Sequence, residues 1–451
     1  MQWDRLLTTK RFGLEQLYNP QHASHDSRSE FQRDFDRLVF SAPFRRLQNK
    51  TQVFPLPGSV FVHNRLTHSL EVSCVGRSLG NNAAAVLKQR HPQTADKLDA
   101  IGAITSAACL AHDMGNPPFG HSGEKAINTY FSEGNGKFLQ NQMSREQWTD
   151  CTNFEGNANA FRILTHQFRG RREGGFVLTY STVASVVKYP YPSIAAKKGK
   201  FGFFDSDKQN FQRIAQELGI GYPADSSDKQ AELADSRIYP RFPLVYLVEA
   251  ADDICYQIMD IEDAHKLRIL TTDETKDLFL QFFNSERRDH IVSTMNRVSD
   301  INEQIAYLRS CVIGKLIDSC TQCFLDNEEQ ILNGKFTGSL MKNVEPSIRD
   351  AYAVCADLSV RKIYRSGEVL DVELAGYKII YMLMEELVQA VFNPDKAYSK
   401  QLLQRIPEQY DTAATTTYGK VQAMLDYVSG MTDVYALGLY QKITGMSLPQ
   451  V

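Results

Sequence analysis

The sequence has little net charge and no long apolar run. Its 451 residues include 50 Lys and Arg against 53 Asp and Glu, a net charge of −3. This balance does not favour a protein that coats nucleic acid or a membrane surface, although local basic patches stay open. The longest stretches without charged residues include Thr51–Asn64, Ala100–Ala111 and Gly174–Val187, all too short and too polar to span a bilayer.

Secretion signals and paired cysteine motifs are also missing. The start, MQWDRLLTTKRFG, carries four charges and has no apolar segment of the kind that signal peptides need. Of the eight cysteines, Cys320 and Cys323 form one CxxC, but no second pair accompanies it and no βαβ pattern surrounds it. We therefore expect reduced thiols, no membrane association and a cytoplasmic location.

Helical periodicity dominates the chain. Apolar residues recur at steps of three and four along one face, for example from Leu98 to His112 and again from Leu374 to Leu387. Strand-like alternation is rare, and Pro55–Gly58 predicts a turn or short hairpin. The sequence thus predicts an all-α fold with minor β-hairpin elements.

Length alone suggests about three domains. The helical pattern instead predicts one core unit over residues 30–265 and a second helical layer over 266–451. Within the core, Asn135–Cys151 and Tyr189–Pro240 are rich in polar residues and turn formers, which is typical of surface insertions.

The segment AHDMGNPPFGH, residues 111–121, is the most informative. A helix ends at His112–Asp113 and is then broken by Gly115 and two prolines. An imidazole and a carboxylate side by side offer two ligands to one divalent ion, and His68 and Asp252 are candidates for two more. Taken singly, His68 is more typical of a satisfied core histidine.

The helix around Asp252 presents a second pattern. Asp252, Tyr256 and Asp260 recur at steps of four and share one face, as a binding surface would. A solvated helix face with salt bridges is the plainer alternative for this stripe taken alone. The combination of His68, the His-Asp pair and Asp252 favours the metal site.

The H…HD…D order resembles that of HD-domain metal-dependent phosphohydrolases. Seven ordered blocks, which together span most of the chain, resemble the bacterial deoxyguanosine triphosphate triphosphohydrolase family. They are RRLQNKTQVFPL (45–56), NRLTHSLEV (64–72), HDMGNPPFGHSGE (112–124), NFEGNA (153–158), RFPLVYLVEAADDICY (241–256), ELAGY (373–377) and SGMTD (429–433).

The resemblance implies an all-α HD fold with a metal-dependent catalytic core over residues 1–265. It also implies a C-terminal helical region over 266–451 that packs on the core and contributes to the substrate pocket. The site is expected to hold one divalent ion. The implied ligands are His68, His112, Asp113 and Asp252. This mixture of nitrogen and oxygen donors suits Mn²⁺, Mg²⁺ or Fe²⁺. The implied reaction is hydrolysis of dGTP between the 5′ oxygen and the α-phosphorus, which yields deoxyguanosine and tripolyphosphate. His121 is implied as the catalytic acid/base or nucleophile, and Glu124 as the carboxylate that orients it.

The resemblance also implies the substrate contacts. Arg65, Lys188, Tyr189 and Asn157 are expected near the phosphates, where a guanidinium fork fits phosphate oxygens. The remaining contacts are expected at the sugar and base: Gln52 and Asp260 at the 3′-hydroxyl, Tyr256 against the deoxyribose, and Tyr364 and Glu373 beside the base. Tyr256 would leave no room for a 2′-hydroxyl and so favour deoxynucleotides.

Two local basic clusters stand outside these blocks. They are Arg169, Arg171 and Arg172, and Lys197, Lys198 and Lys200. Solvated loop charge is the plainer interpretation, and a site for an effector dNTP or single-stranded DNA is the sharper one. The resemblance further implies a homo-oligomer, a hexamer or tetramer. Alternative functions are a broad-specificity dNTPase, another HD nucleotide phosphohydrolase, and a non-catalytic nucleotide sensor or DNA-binding regulator.

Overall fold

The computed structural model describes residues 1–15, 27–54, 62–196, 198–221 and 238–446. These residues form 22 α-helices and no β-strand, and three isolated bridges are the only extended pairings among them. The predicted all-α class is confirmed. The turn or hairpin predicted at Pro55–Gly58 lies outside the described residues. Within the described part, no helix is both long enough and apolar enough to cross a membrane.

The helices follow one another along the chain with short connections. In order they are α1 (Trp3–Leu6), α2 (Glu30–Val39), α3 (Ala42–Arg46), α4 (Arg65–Arg90), α5 (Ala95–Leu98), α6 (Ile101–Ala111), α7 (Gly120–Ser132), α8 (Arg145–Thr152), α9 (Gly156–Thr165), α10 (Tyr180–Val186), α11 (Lys208–Leu218), α12 (Val245–Lys266), α13 (Thr272–Leu280), α14 (Ser285–Met295), α15 (Ile301–Asp326), α16 (Glu328–Leu332), α17 (Leu340–Asn343), α18 (Pro346–Leu358), α19 (Gly367–Phe392), α20 (Ala397–Leu403), α21 (Thr417–Ser429) and α22 (Asp433–Ile443). Short 3₁₀ segments cover Leu47–Asn49, Pro92–Thr94, Asn135–Gln142, Ser193–Ala195 and Asp205–Asp207, and a π-helical turn covers Ser359–Ile363.

Helices α4, α6 and α12 form the centre of the fold and pack on one another. A capping box starts α4, because the Asn64 side chain accepts the Thr67 N–H and the Thr67 hydroxyl accepts the Asn64 N–H. Gly76 lets α4 approach α6 closely, since a Cβ atom there would lie 2.4 Å from Cys109 Sγ. The close pairing brings the start of α4 beside the end of α6.

Two apolar clusters make up the core. One draws on residues from Trp3 to Val369 around α4, α6, α12 and α15, and the other on residues from Ala126 to Leu439 around α7, α19 and α21. Both clusters contain residues from either side of position 265. The division into 1–265 and 266–451 stays a prediction.

The segment Asn135–Cys151, predicted as a surface insertion, is mostly exposed or half-buried, but four of its residues reach the interior. It folds into a 3₁₀ segment followed by α8, with Leu139 and Cys151 fully buried. Asp150 is buried as well, because its carboxylate accepts hydrogen bonds from Ser193 Oγ, Tyr418 OH and the Asp205 N–H. The polar composition of this segment therefore includes a buried carboxylate whose hydrogen-bond donors come from other parts of the chain.

The segment Tyr189–Pro240 is also partly internal. Phe201, Phe203 and Phe204 are fully or almost fully buried, and α11 follows them. The aromatic side chains pack into the two core clusters, so this stretch is anchored to the body. Residues 222–237 lie outside the described residues.

A buried arginine ties α9 to α21. Arg162 Nε and Nη2 donate to the two carboxylate oxygens of Asp426 at 2.7 and 2.8 Å, and Nη1 lies 3.2 Å from Asp207 Oδ1. Burial alone would lower the pKa of Arg162, but the charges of Asp426 and Asp207 raise it. The guanidinium therefore stays charged between two buried carboxylates.

Replacing Arg162 by Leu leaves Asp426 and Asp207 buried without their cation, so we predict a loss of about 3 to 5 kcal/mol in the free energy of unfolding. Urea unfolding followed by circular dichroism measures it. The control is Arg361→Ala, which removes an exposed partner of Asp357 and should leave the unfolding midpoint unchanged. An equal, small effect of both substitutions would contradict the structural role of Arg162.

Candidate active site

Three of the predicted metal ligands converge in the interior. His68 lies in the first turn of α4, His112 directly follows α6, and Asp252 lies in α12. Asp252 Oδ1 is 3.2 Å from His68 Nε2 and 3.5 Å from His112 Nε2, and one ligand atom from each residue lies within 4.8 Å of the others. Residues from three separate helices thus offer two nitrogens and one oxygen to a common point.

The hydrogen bonding of His112 fits a bound cation. Its Nδ1 is 2.6 Å from the carbonyl oxygen of Cys109 and must donate there, which leaves Nε2 as the nitrogen that can take up a proton or bind a cation. That Nε2 is buried, has no hydrogen-bond partner and faces the Asp252 carboxylate. With Nε2 unprotonated, two acceptors face each other in the interior, which is unfavourable unless a positive charge, either a proton or a metal ion, lies between them.

The charges of the cluster also favour a bound cation. Burial lowers the pKa of His112, but the Asp113 and Asp252 carboxylates outweigh burial and raise it to about 9. Burial raises the pKa of Asp252, yet His112 and His68 bring it well below its ordinary value. The cluster therefore favours a bound positive charge, and its donor set of nitrogen and carboxylate oxygen suits a divalent ion.

Asp113, the fourth predicted ligand, lies beside these three. Its Oδ1 is 3.6 Å from His112 Nε2. Arg65 donates to its other oxygen, Oδ2, at 2.8 Å, and the Asn116 amide donates to Oδ1. Two donors thus hold the carboxylate in place, and its role as a ligand stays a prediction.

A cleft of about 560 Å³ opens over this cluster. Most of the predicted site residues line it: Gln52, Arg65, His112, Asp113, His121, Glu124, Asn157, Lys188, Tyr189, Asp252, Tyr256, Tyr364 and Glu373. His68 and Asp260 do not line it and lie behind the wall. The walls come from the region before α4, from α7, from α12 and from α19.

His121 and Glu124 form a hydrogen-bonded pair at the start of α7. His121 Nδ1 is 2.9 Å from Glu124 Oε2, and the Glu124 Oε1 atom accepts the Gly156 N–H at 2.8 Å. The imidazole is 72% exposed while Glu124 is buried, so the carboxylate fixes a ring that reaches into solvent. Burial raises the pKa of Glu124, but the His121 hydrogen bond and the Lys200 charge lower it overall.

Basic side chains line the same cleft, and Arg65, Lys188 and Lys200 each lie beside a carboxylate. Arg65 is paired with Asp113, and its buried Nε has no hydrogen-bond partner. Lys188 Nζ is 3.4 Å from Glu249 Oε1, and Glu249 raises the lysine pKa although burial lowers it. Arg65 and Lys188, two of the predicted phosphate contacts, are therefore held in place at the cleft by neighbouring carboxylates.

Two tyrosines form another wall of the cleft, and a buried carboxylate lies behind them. The rings of Tyr256 and Tyr364 are stacked with centroids 5.8 Å apart, and Tyr364 OH donates to Asp260 Oδ2 at 2.7 Å. Burial raises the pKa of Asp260 to about 8. Gln52 Oε1 is buried without a hydrogen-bond partner. Asp260 supports Tyr364, and its predicted sugar contact stays a prediction.

Several residues of the cleft were missed or placed elsewhere by sequence reasoning. Lys200, interpreted there as solvated loop charge or part of an effector site, lines the cleft with Nζ 2.5 Å from Glu155 Oε1. Glu155 lies inside the NFEGNA block and was overlooked, as was Asn116 in the HDMGNPPFGHSGE block. Glu155 and Asn116 could have been predicted from the sequence, because both lie inside blocks from which other site residues were chosen.

The other basic cluster lines a second cavity, of about 410 Å³. Arg171 and Arg172 face it together with Arg46, Lys50 and His166, and aromatic side chains complete the lining: Phe40, Phe168, Phe176 and Tyr410. Arg169 instead lies 3.5 Å from Asp411 and is 63% exposed. Lys197 is outside the described residues.

Two family models match the sequence of this chain. A model described as "HD domain" matches residues 65–171, and one described as "Phosphohydrolase-associated domain" matches residues 343–442. The first match contains His68 and the His112–Asp113 pair, and the second contains Tyr364 and Glu373.

Full-length relatives carry a more specific description. The chain is 34% identical over 464 residues to a "deoxyguanosinetriphosphate triphosphohydrolase-like protein" of Pseudomonas aeruginosa, with all of both chains covered. It is 36% identical over 467 residues to a protein so named from Synechocystis, with 99% of this chain and 100% of the relative covered. It is 29% identical to the "deoxyguanosinetriphosphate triphosphohydrolase" of Yersinia enterocolitica, with 92% and 93% covered. The chain therefore belongs to the deoxyguanosinetriphosphate triphosphohydrolase-like family of HD-domain hydrolases.

Proposed function

We propose that the protein is a metal-dependent dNTP triphosphohydrolase that converts dGTP to deoxyguanosine and tripolyphosphate. The observation that carries this proposal is the convergence of His68, the buried Nε2 atom of His112 and Asp252 at a cleft lined by basic side chains. The names of the relatives support the substrate. We propose one divalent ion per subunit, Mn²⁺, Mg²⁺ or Fe²⁺, with His68, His112, Asp113 and Asp252 as its ligands.

Such an ion, when bound, supplies Lewis-acid activation at the α-phosphate. Arg65 and Lys188, with Asn157 and Tyr189 beside them, bind the phosphate oxygens and hold the α-phosphorus over the cluster. A water oxygen bonds to phosphorus and releases a proton to solvent, the bond to the 5′ oxygen breaks, and that oxygen takes a proton from His121, which regains one from solvent. His121 is the proton donor in this proposal, oriented by the Glu124 hydrogen bond.

The wall formed by Tyr256 and Tyr364 accounts for the proposed preference for deoxynucleotides. Tyr256, stacked on Tyr364, packs against the deoxyribose and excludes a 2′-hydroxyl. Gln52, whose buried Oε1 lacks a protein partner, accepts a hydrogen bond from the 3′-hydroxyl, and Asp260 supports this side through Tyr364. Glu373 accepts hydrogen bonds from the N–H groups of guanine. A broad-specificity dNTPase would need only the sugar and phosphate contacts.

We further propose that the protein acts in the cytoplasm as a homo-oligomer, hexamer or tetramer. For regulation, we propose that the second cavity, with Arg171 and Arg172, binds an effector dNTP or single-stranded DNA. Its three arginines and four aromatic rings support this proposal, because phosphates and bases are bound by such surfaces.

The reaction is tested by incubating the protein with Mn²⁺ and each of the four dNTPs, with and without single-stranded DNA or a second dNTP. We expect dGTP to give deoxyguanosine and intact tripolyphosphate, identified by chromatography. Equal turnover of all four dNTPs would favour the broad-specificity alternative. Release of pyrophosphate or monophosphate would contradict the proposal, and no turnover under any condition would favour a nucleotide sensor.

The metal assignment is tested with His112→Ala. Because this substitution removes one of three converging ligand atoms, we expect the dissociation constant for Mn²⁺, measured by calorimetry, to rise more than about tenfold. The control is His290→Ala, which removes an imidazole from an exposed position of α14 and should not change Mn²⁺ binding. Unchanged binding by both variants would show that the ion is held elsewhere.

Sugar selectivity is tested with Tyr256→Ala. Loss of the ring opens space beside the sugar, so the ratio of kcat/KM for dGTP to that for GTP should fall about tenfold or more. Tyr398→Ala, at a site 49% exposed in α20, serves as the control. A ratio equal to that of the unaltered protein would refute the role of Tyr256.

A further inference from the structure

The segment SGMTD, residues 429–433, joins α21 to α22 and contacts two loops of the N-terminal half. Arg46 Nη1 donates to the Gly430 carbonyl at 2.6 Å, and Lys50 Nζ donates to the Ser429 carbonyl at 2.8 Å. Lys50 Nζ also donates to the Asn116 carbonyl at 2.6 Å. A buried lysine therefore bridges this segment to the loop between α6 and α7.

Asp433 makes the most direct of these connections. Its side chain is 4% exposed, and its two oxygens accept hydrogen bonds from two different loops. Oδ2 accepts the Thr51 N–H at 2.8 Å, and Oδ1 accepts the Phe119 N–H at 2.9 Å. Thr51 precedes Gln52, and Phe119 lies two residues before His121. One carboxylate thus joins the loops that carry both residues.

The turn held by Asp433 has an uncommon backbone. Phe119 has φ +61° and ψ +18°, and Gly120 follows with φ +55°, so two successive residues are left-handed directly before α7. A phenylalanine in this region is unfavourable by itself and persists only when its surroundings fix it. No side chain caps α7 at this position.

Packing from α19 fixes the other side of the same turn. A Cβ atom on Gly376 would lie 2.4 Å from Phe119 Cβ, so the helix backbone and the Phe119 side chain are in close contact. The Ser122 hydroxyl also donates to the Glu373 carbonyl. The turn is therefore held between α19 on its side-chain face and Asp433 at its N–H group.

We propose that Asp433 is a positioning residue, which holds the Phe119–Gly120 turn in its left-handed form and thereby places His121 over the cleft. This inference rests on the proposed function, because it concerns the residue proposed to donate the proton. Asp433 touches no reacting atom and acts only through the Phe119 N–H, with the Thr51 bond fixing the carboxylate. A residue of the C-terminal helices thereby helps to place His121, a proposed catalytic residue of the N-terminal part.

The test uses Asp433→Asn, which has the same shape but can accept from only one of its two terminal atoms. One of the two N–H groups then faces an NH₂ group and loses its acceptor. We expect kcat for tripolyphosphate release to fall by about tenfold to about a hundredfold. We expect the dissociation constant for Mn²⁺ to stay unchanged, since the ligand cluster is not contacted by Asp433.

A double-mutant cycle shows whether the effect passes through His121. In a His121→Ala background, Asp433→Asn should lower the remaining kcat by less than about threefold, because the residue being positioned is already gone. Equal factors in both backgrounds would overturn the proposal, as they would show that Asp433 acts independently of His121.

Hydrogen exchange gives a readout that needs no substrate. The Phe119 amide should be protected in the unaltered protein, and Asp433→Asn should speed its exchange while amides in α4 stay unchanged. Fast exchange of this amide in the unaltered protein would overturn the proposal even if the variant failed to fold. If the unaltered protein released no tripolyphosphate, the proposed function would fail, and exchange would still decide whether Asp433 holds the turn.

The matched control is Glu328→Gln, another buried carboxylate with several donors. Glu328 accepts from Trp3 Nε1 at 2.8 Å and lies 3.1 Å from Arg90 Nη1. Arg90 ends α4, about 33 Å from His68 at the ordinary helical rise. Glu328→Gln should leave kcat and Phe119 exchange unchanged. If it lowered kcat as much as Asp433→Asn, a general loss of stability would explain both.

Discussion

The site depends on an electrostatic constraint, the buried Nε2 atom of His112 and the carboxylate of Asp252 facing each other in the interior. The Cys109 carbonyl occupies the other imidazole nitrogen, so Nε2 is the atom that can take up a proton or bind a cation. A cation between them relieves this arrangement. Such a geometry requires α4, α6 and α12 to meet closely, which Gly76 permits by bringing α4 against Cys109.

The cleft above the cluster reconciles a slightly acidic protein with an anionic substrate. The net charge is −3, so the field of the whole protein does not attract a triphosphate, and the binding charges have to be local. Arg65, Lys188 and Lys200 each lie beside a carboxylate, respectively Asp113, Glu249 and Glu155. These pairs hold the cations in place before a phosphate arrives, which reduces the ordering needed on binding.

Sequence reasoning reached the parts of the site that short motifs encode. The His-Asp pair at a helix end, with His68 and Asp252, predicted the groups that converge, and helical periodicity predicted the all-α fold. It missed contacts that depend on tertiary structure. Lys200 lies in a segment of turn formers and reaches the cleft because the phenylalanines after it are buried. Asp150, in a polar stretch, gave no sign of the donors that come from residues 193, 205 and 418.

Anomalous diffraction at the manganese edge, from crystals of the protein grown with Mn²⁺, tests the central claim most directly. The account predicts one strong peak per subunit within coordination distance of His68 Nε2, His112 Nε2 and Asp252 Oδ1. A cluster without a peak, with manganese bound at another position, would contradict it.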